Sequence, residues 1–206
     1  MSSYVWISQL VTQGVYGAYT LGVSGNVPFC IMKKDKPCPD VLCALLGTRH
    51  PIVQAGMVWC TGWELAAEVG KAGALGTLGA GSRYPEELKA EIQRLKAAWD
   101  GPFAVNVPLL YPDVEAHMET IAAAGIPVVF TSAGSPKKWT GFLKEAGATV
   151  IHVVSSAAFA RKAEDAGVDA VVAEGFEAGG HNGREETTTM CLVPEVVDAV
   201  SIPVIA

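Results

Sequence analysis

Charge is scarce in this sequence, and positive charge is scarcest. Lys, Arg, Asp and Glu together make up 17% of 206 residues, and 15 basic side chains face 21 acidic ones, for a formal net charge of −6. A chain with no basic excess has nothing with which to neutralise a phosphate backbone, so a nucleic-acid partner is not expected. The five cysteines (Cys30, Cys38, Cys43, Cys60 and Cys191) form no C-x-x-C pair and no Cys/His cluster. A disulfide framework and a zinc site are therefore not expected either, no metal ligand set is assigned, and the thiols read as those of a reduced, cytoplasmic protein. Residues 1–32 carry no charged side chain at all, but Gln9, Gln13, Ser24, Asn26 and several glycines interrupt the apolar run, and the first Lys is Lys33. A secretory signal needs a basic segment ahead of its apolar core, and a membrane span needs about 20 predominantly apolar residues; neither pattern is present. What the chain has in quantity is hydrophobic residues, half of the total, and 22 glycines. That balance excludes a disordered chain and predicts a core large enough to fold without staples.

From residue 51 onward short apolar runs alternate with segments of helical period. The runs are Pro51–Met57, Ala74–Gly79, Phe103–Val107, Val128–Ser132, Thr149–Val154, Ala170–Gly175 and Pro203–Ala206. Several are nearly continuous in Val and Ile, as parallel strands covered on both faces should be. Between them Leu88, Ile92, Leu95 and Trp99 share one helical face, as do Val114, Met118, Ile121 and Ala122, and again Trp139, Phe142, Leu143 and Ala146. Pro85 and Pro194 suit first helical turns, where a missing N–H does no harm. Ala72-Gly73, Ala124-Gly125, Ala146-Gly147 and Ala166-Gly167 each precede a run. A glycine there can adopt the left-handed conformation that ends a helix and turns the chain back. This rhythm predicts an α/β fold with right-handed parallel crossovers, either a (β/α)₈ barrel or a doubly wound sheet. The seventh run stops at the end of the chain, so a barrel would be truncated at about strand seven, and its first and seventh strands would present exposed edges.

Chemistry in parallel α/β folds gathers at the carboxyl ends of strands, so the residues just after each run are the candidates. They include Ala55-Gly56-Met57, Gly79-Ala80-Gly81, Ser132 to Pro136, and the stretch from Glu174 through Gly179-Gly180-His181-Asn182-Gly183. A Gly-rich loop lets backbone approach a flat ligand while presenting one imidazole, a group that titrates near neutral pH and serves as general acid or base. The bland reading is a surface loop with an incidental His. Asn106, an amide in an apolar strand, either binds the edge of a heterocycle or caps a neighbouring loop. Glu174 either accepts from a ligand or pairs with a cation. His152, inside a strand, reads as a hydrogen-bonded core residue; His50 and His117 carry weaker signals. Trp59 reads as packing, with flanking a planar cofactor as the alternative.

These segments carry a resemblance. Pro51 to Met57, Phe103 to Val107, Phe130 to Pro136, and the run Ala-Glu-Gly-Phe-Glu-Ala-Gly-Gly-His-Asn-Gly from Ala173 to Gly183 resemble the nitronate monooxygenase (2-nitropropane dioxygenase) family, whose pattern is shared by type II flavin-dependent enoyl-ACP reductases. The likeness runs from about Asp40 to Ala206. It implies an FMN-binding TIM barrel over residues 39–206, preceded by an unmatched extension of uncertain order over 1–38. By family pattern, Ala55, Gly56 and Met57 line the flavin through their backbone, Asn106 bonds it, Glu174, Gly179 and Gly180 lie beside it, and His181 is the catalytic base, or the acid that stabilises an enolate-like oxygen. The implied activity is an FMN-dependent oxidation of alkyl nitronates with O2. The alternative is an enoyl-ACP reductase taking NAD(P)H as co-substrate, because Ala-Glu-Gly is closer to the reductase pattern than the Gln common in nitronate monooxygenases. A reading of another class is a catalytically incompetent barrel fragment that needs a partner, since the family continues through an eighth strand that completes the phosphate site. Implied partners are a small-molecule substrate (a nitronate or an enoyl thioester) and a second copy in a homodimer, with neither nucleic acid nor membrane.

Overall fold

A computed structural model of the chain describes residues 30–31, 38–57 and 59–206, with side chains from 41 onward. Most of the extension assigned to 1–38 lies outside the described residues, and so does almost all of the uncharged stretch weighed above as a signal or membrane segment. Among the described residues no helix is long and apolar enough to cross a membrane.

The chain runs β1 (Cys30–Ile31), α1 (Cys38–Leu46), α2 (Trp63–Lys71), β2 (Gly76–Gly79), α3 (Pro85–Ala98), β3 (Phe103–Pro108), α4 (Val114–Ala124), β4 (Val128–Ser132), α5 (Thr140–Glu145), β5 (Thr149–Val154), α6 (Ala157–Asp165), β6 (Ala170–Ala173), α7 (Thr189–Ala199) and β7 (Val204–Ile205). Strands β2 to β7 lie side by side in sequence order, and every neighbouring pair is parallel. Each crossover is a helix, as parallel pairing requires. This is the architecture of a (β/α)₈ barrel left open, so the barrel expectation holds over the doubly wound one.

Local chemistry explains the elements. Helix α3 starts with Pro85 at its first position, and the Glu87 carboxylate reaches back to accept from the Tyr84 N–H at 3.1 Å. Ser156 caps α6 by accepting from the Phe159 N–H. The Ala-Gly pairs end helices as expected: Gly73, Gly125, Gly147 and Gly167 have φ of +94°, +61°, +85° and +83°. One close approach depends on glycine for another reason. A Cβ on Gly76 would lie 2.1 Å from the Ala66 carbonyl oxygen, so α2 sits on β2 with backbone nearly touching backbone.

Alternate strand residues feed two cores. Outward residues such as Leu78, Val105, Val129, Val150 and Val171 pack against Leu88, Ile92, Leu95, Met118, Leu143 and Leu192 of the helices. Inward residues Leu75, Ala104, Val128, Phe130, Ile151, Ala170 and Ile205 form a second cluster. Its floor is α1, whose Leu42 and Leu46 are both buried against it. The inside of the sheet is thus a packed interior rather than a channel.

Four expectations are corrected. The first run, Pro51–Met57, makes only a bridge from Val53 to Leu75, and beyond it Gly56 is pressed against Gly79 and Asn106 without continuing the ladder. Pro194 does not open α7 but lies inside it. The helix begins earlier, at Thr189, and Pro194 stands exposed within it, where it removes one helical hydrogen bond. The edge of β7 is not bare: β1 pairs along it antiparallel, Cys30 opposite Ile205 and Ile31 opposite Val204. Trp59 is not a packing residue; it is 82% exposed and adopts φ +63°.

Candidate active site at the carboxyl ends of the strands

The alternation of the strands decides which side chains face the interior. On β3 Ala104 points into the inner cluster, so Asn106, two residues on, shares its face. On β6 Ala170 and Val172 point inward, and Glu174 follows them one residue past the strand, where its N–H still donates to the Val154 carbonyl at 2.9 Å. Both are half-buried, and neither side chain has a hydrogen-bond partner among the described residues. Burial with no compensating donor pushes the Glu174 carboxyl up to about 7. One layer below, the Thr77 hydroxyl is also buried and unpartnered.

Ala55, Gly56 and Met57 form the loop after the Val53 bridge. Gly56 is there because nothing larger fits: a Cβ would stand 2.8 Å from the Asn106 Cβ and 3.2 Å from the Gly79 Cα. Three predicted positions are therefore brought together across neighbouring chain segments. Gln54 and Thr61 hold this loop, since the Thr77 N–H donates to Gln54 Oε1 at 3.1 Å and the Met57 N–H to Thr61 Oγ1 at 2.9 Å. Arg83 ties it to the loop after β2, donating to the Gly79 carbonyl at 2.7 Å and the Thr61 carbonyl at 2.9 Å while pairing with Glu91 at 3.7 Å. His117 is buried beneath, its Nε2 3.0 Å from the Arg83 carbonyl oxygen. Arg83 and Glu91 carried no signal in the sequence, because their contacts join segments 22 to 28 residues apart.

Gly179, Gly180 and His181 lie in the loop between β6 and α7, at the same end of the sheet, and all three are exposed. Gly180 has φ +90°, and a Cβ there would meet nothing within 4 Å. The hydrogen bonds of this loop run to Ser155, Phe176 and Thr189, not to Asn106 or Met57. His152 is elsewhere. It faces outward on β5, buried, with Nδ1 2.7 Å from Thr131 Oγ1, and burial lowers it to about 4, so it is the core histidine expected. His50 is exposed, with Nε2 accepting from Arg49.

Backbone strain collects at this end. Trp59, Asp113 and Ala133 are the non-glycine residues with positive φ among the described residues, at +63°, +62° and +52°, and each lies in a loop that leaves the carboxyl end of a strand or bridge. A cavity of about 550 Å³ lies at the opposite end, beside Lys96, Trp99, Pro102 and Pro127. Trp99 Nε1 donates to the Pro102 carbonyl there and Lys96 to that of Ala124, and Asp100 is its other ionisable residue. No group of three or more His, Cys, Asp or Glu among the described residues is placed to hold a metal.

An open parallel barrel with inward polar side chains at its carboxyl rim defines the class as a barrel of the ligand-binding α/β kind. Comparison with known proteins makes the assignment narrower. The nitronate monooxygenase family model matches residues 40–206, and the chain belongs to that family. It is 39% identical over 168 residues to the (3aS,4S,5R,7aS)-5-hydroxy-7a-methyl-1-oxo-octahydro-1H-indene-4-carboxyl-CoA dehydrogenase of Mycobacterium tuberculosis, covering 80% of this chain and 47% of that protein. It is 35% identical to a probable nitronate monooxygenase of Staphylococcus saprophyticus, covering 79% and 58%. Among solved structures, FabK of Thermotoga maritima superposes with a TM-score of 0.77 at 43% identity, covering 80% and 52%. The nitroalkane oxidase of Streptomyces ansochromogenes gives 0.73 at 30%, covering 79% and 59%. The chain spans about half the length of the curated relatives it matches.

Proposed function

We propose that the chain carries the catalytic face of an FMN-dependent oxidoreductase that oxidises alkyl nitronates with O2, with His181 as its general base. The observation behind this reading is the pair of inward side chains, Asn106 and Glu174, that reach the carboxyl rim without protein partners. Polar groups half-buried in that way call for a ligand with polar edges. The residues suit a flavin. Gly56 and Gly79 let the loop after the Val53 bridge pack backbone to backbone beside Asn106, which supplies both a donor and an acceptor, and Gly180 in the β6–α7 loop has an open flank. When bound, FMN would supply the redox chemistry. Ala55, Gly56 and Met57 would then contact it through their backbone, Asn106 would hold its polar edge, Glu174, Gly179 and Gly180 would lie alongside, and His181 would take or return a proton on the substrate.

A second reading is an NAD(P)H-dependent reduction of an enoyl thioester, supported by the identity to FabK and to a carboxyl-CoA dehydrogenase. Glu174 also favours it. A carboxyl that titrates at about 7 can give up and take back a proton near neutral pH, which the amide of a Gln at that position has no means to do. Reconstitution with excess FMN tests the common ground: the expected product is yellow, and a colourless protein would refute both readings. Anaerobic addition of NADH then separates them. Bleaching of the flavin without nitronate turnover selects the reductase, whereas nitronate-dependent O2 uptake selects the monooxygenase.

A further inference from the structure

The loop that presents His181 is seated at both ends, and one seat lies on a different strand. Near its carboxyl end Ser155, just past β5, donates from Oγ to Glu185 Oε2 at 2.7 Å. Gly183 fits against that same serine so closely that a Cβ would lie 2.2 Å from the Ser155 Cβ. At the neck Glu177 accepts from the Thr189 N–H at 2.9 Å and from the Thr189 hydroxyl at 3.0 Å, at the first turn of α7. Gly175 is pressed into that neck, where a Cβ would meet Thr189 Oγ1 at 2.1 Å. Inside the loop Asn182 donates to the Phe176 carbonyl at 2.8 Å, and the Phe176 N–H donates to the Thr187 carbonyl at 2.9 Å. Between the two seats Gly180 and His181 touch none of these groups.

The two anchors differ in what they fix. Glu177 and Thr189 are both local to the β6–α7 connection, so they close the neck without deciding where the loop leans. Ser155 belongs to the neighbouring strand and is 30 residues from Glu185. It ties the far side of the loop to the rim of the barrel. A hydrogen bond to a carboxylate is stronger than a neutral one, and the Ser155 hydroxyl, first among several local groups, holds the Glu185 carboxyl below its ordinary value.

We infer that Ser155 and Glu185 are positioning residues: their hydrogen bond, with Gly183 packed beneath it, sets the β6–α7 loop on the rim and so fixes the His181 imidazole. This rests on the proposed role of His181, but the seat can be examined without any turnover. Arg184 is exposed between the two seated residues, and trypsin cleaves after it. Nicking at a site that must open first follows the population of the open loop. With each rate referred to that of the same chain unfolded in urea, Ser155→Ala is expected to raise nicking at Arg184 about 10-fold or more, as loss of one charge-assisted hydrogen bond implies. Glu185→Gln, which keeps an accepting oxygen, is expected to raise it about 2-fold or less. The imidazole C2–H resonance of His181, assigned by its loss in His181→Ala, should narrow in Ser155→Ala while the resonances of His117 and His152 stay as they are. Wild-type nicking and an unchanged His181 line in Ser155→Ala would overturn the inference. Faster nicking with an unchanged His181 line would also overturn it, because the loop would then open without moving the imidazole. If instead His181→Ala retains full turnover, the proposed function fails and the seat stands.

Discussion

Stability between pH 4.5 and 6.5 should be governed by one buried and one half-buried group that pull in opposite directions. His152 falls from 6.5 to about 4 in the folded chain, chiefly because burial disfavours its charged form; the Gly134 and Thr131 backbone groups beside the ring oppose the shift. In that window the unfolded chain binds a proton that the folded one refuses, so stability rises with pH. The full displacement corresponds to about 3 kcal/mol, of which about 2 kcal/mol falls between pH 4.5 and 6.5. Glu174 is raised from 4.5 to about 7 by burial. Here the folded chain keeps the proton that the unfolded one has lost, so stability falls as pH rises through the same window. The carboxyl is only half-buried, and solvent screening reduces its share to about 1.5 kcal/mol. The two slopes nearly cancel in the wild-type chain. Urea unfolding at pH 4.5, 5.5 and 6.5 exposes each of them. Glu174→Gln should gain about 1.5 kcal/mol more than wild type on going up the window, and His152→Gln should lose about 2 kcal/mol relative to wild type over the same span. A His152→Gln chain with the wild-type pH slope would refute the assignment of His152 as a neutral core residue, whatever its overall stability.

Other expectations concern the site and the packing. In the flavin-loaded chain His181→Ala should keep FMN affinity, read by fluorescence titration, and lower turnover by about 10²–10⁴-fold. Asn106→Ala should weaken FMN binding by about 10-fold in the same titration with the urea midpoint little changed, because one unpartnered amide is removed. Gly76→Ala should destabilise by ~3 kcal/mol or more in urea unfolding, since its methyl would overlap the Ala66 backbone, which cannot swing aside as a side chain can. Leu78→Ala, which leaves a hole between β2 and the helices, should lose about 2–5 kcal/mol by the same measurement.

Much of the scaffold was legible because its cause is local. Val128–Ser132 and Thr149–Val154 are strands with the bounds that their apolar runs suggest, since both faces of those residues are covered. The four Ala-Gly pairs mark helix ends because the left-handed turn has a residue requirement of its own. Asn106 and Glu174 stood out as polar groups in apolar strands, and the inner face they occupy follows from alternation. Other features depend on contacts that no short segment encodes. That Pro51–Met57 makes a single bridge, with Gly56 beyond it pressed against Asn106, is one of them. The pairing of β1 with β7 joins residues some 170 positions apart, with only two residues in each strand. The contacts of Arg83 with Thr61 and of Glu91 with Trp63, and the Ser155–Glu185 seat, are invisible because each joins residues 22 to 30 positions apart. Trp59 was misread because an aromatic ring ordinarily seeks the core, whereas here the chain turns it out at a loop tip.

The distribution of backbone conformations divides the molecule into a relaxed half and a stressed one. The turns that lead into β2, β4, β5 and β6 use glycine for their positive φ and store nothing. The loops that leave the Val53 bridge, β3 and β4 force Trp59, Asp113 and Ala133 into conformations that disfavour a side chain, at roughly 1 kcal/mol or more apiece. Glycine substitutions at those three sites are therefore the natural route to a hardier chain, and the entropic penalty of glycine offsets only part of the relief. Thermal hardening and chemistry compete on the same rim, while the other end of the molecule is free to be redesigned.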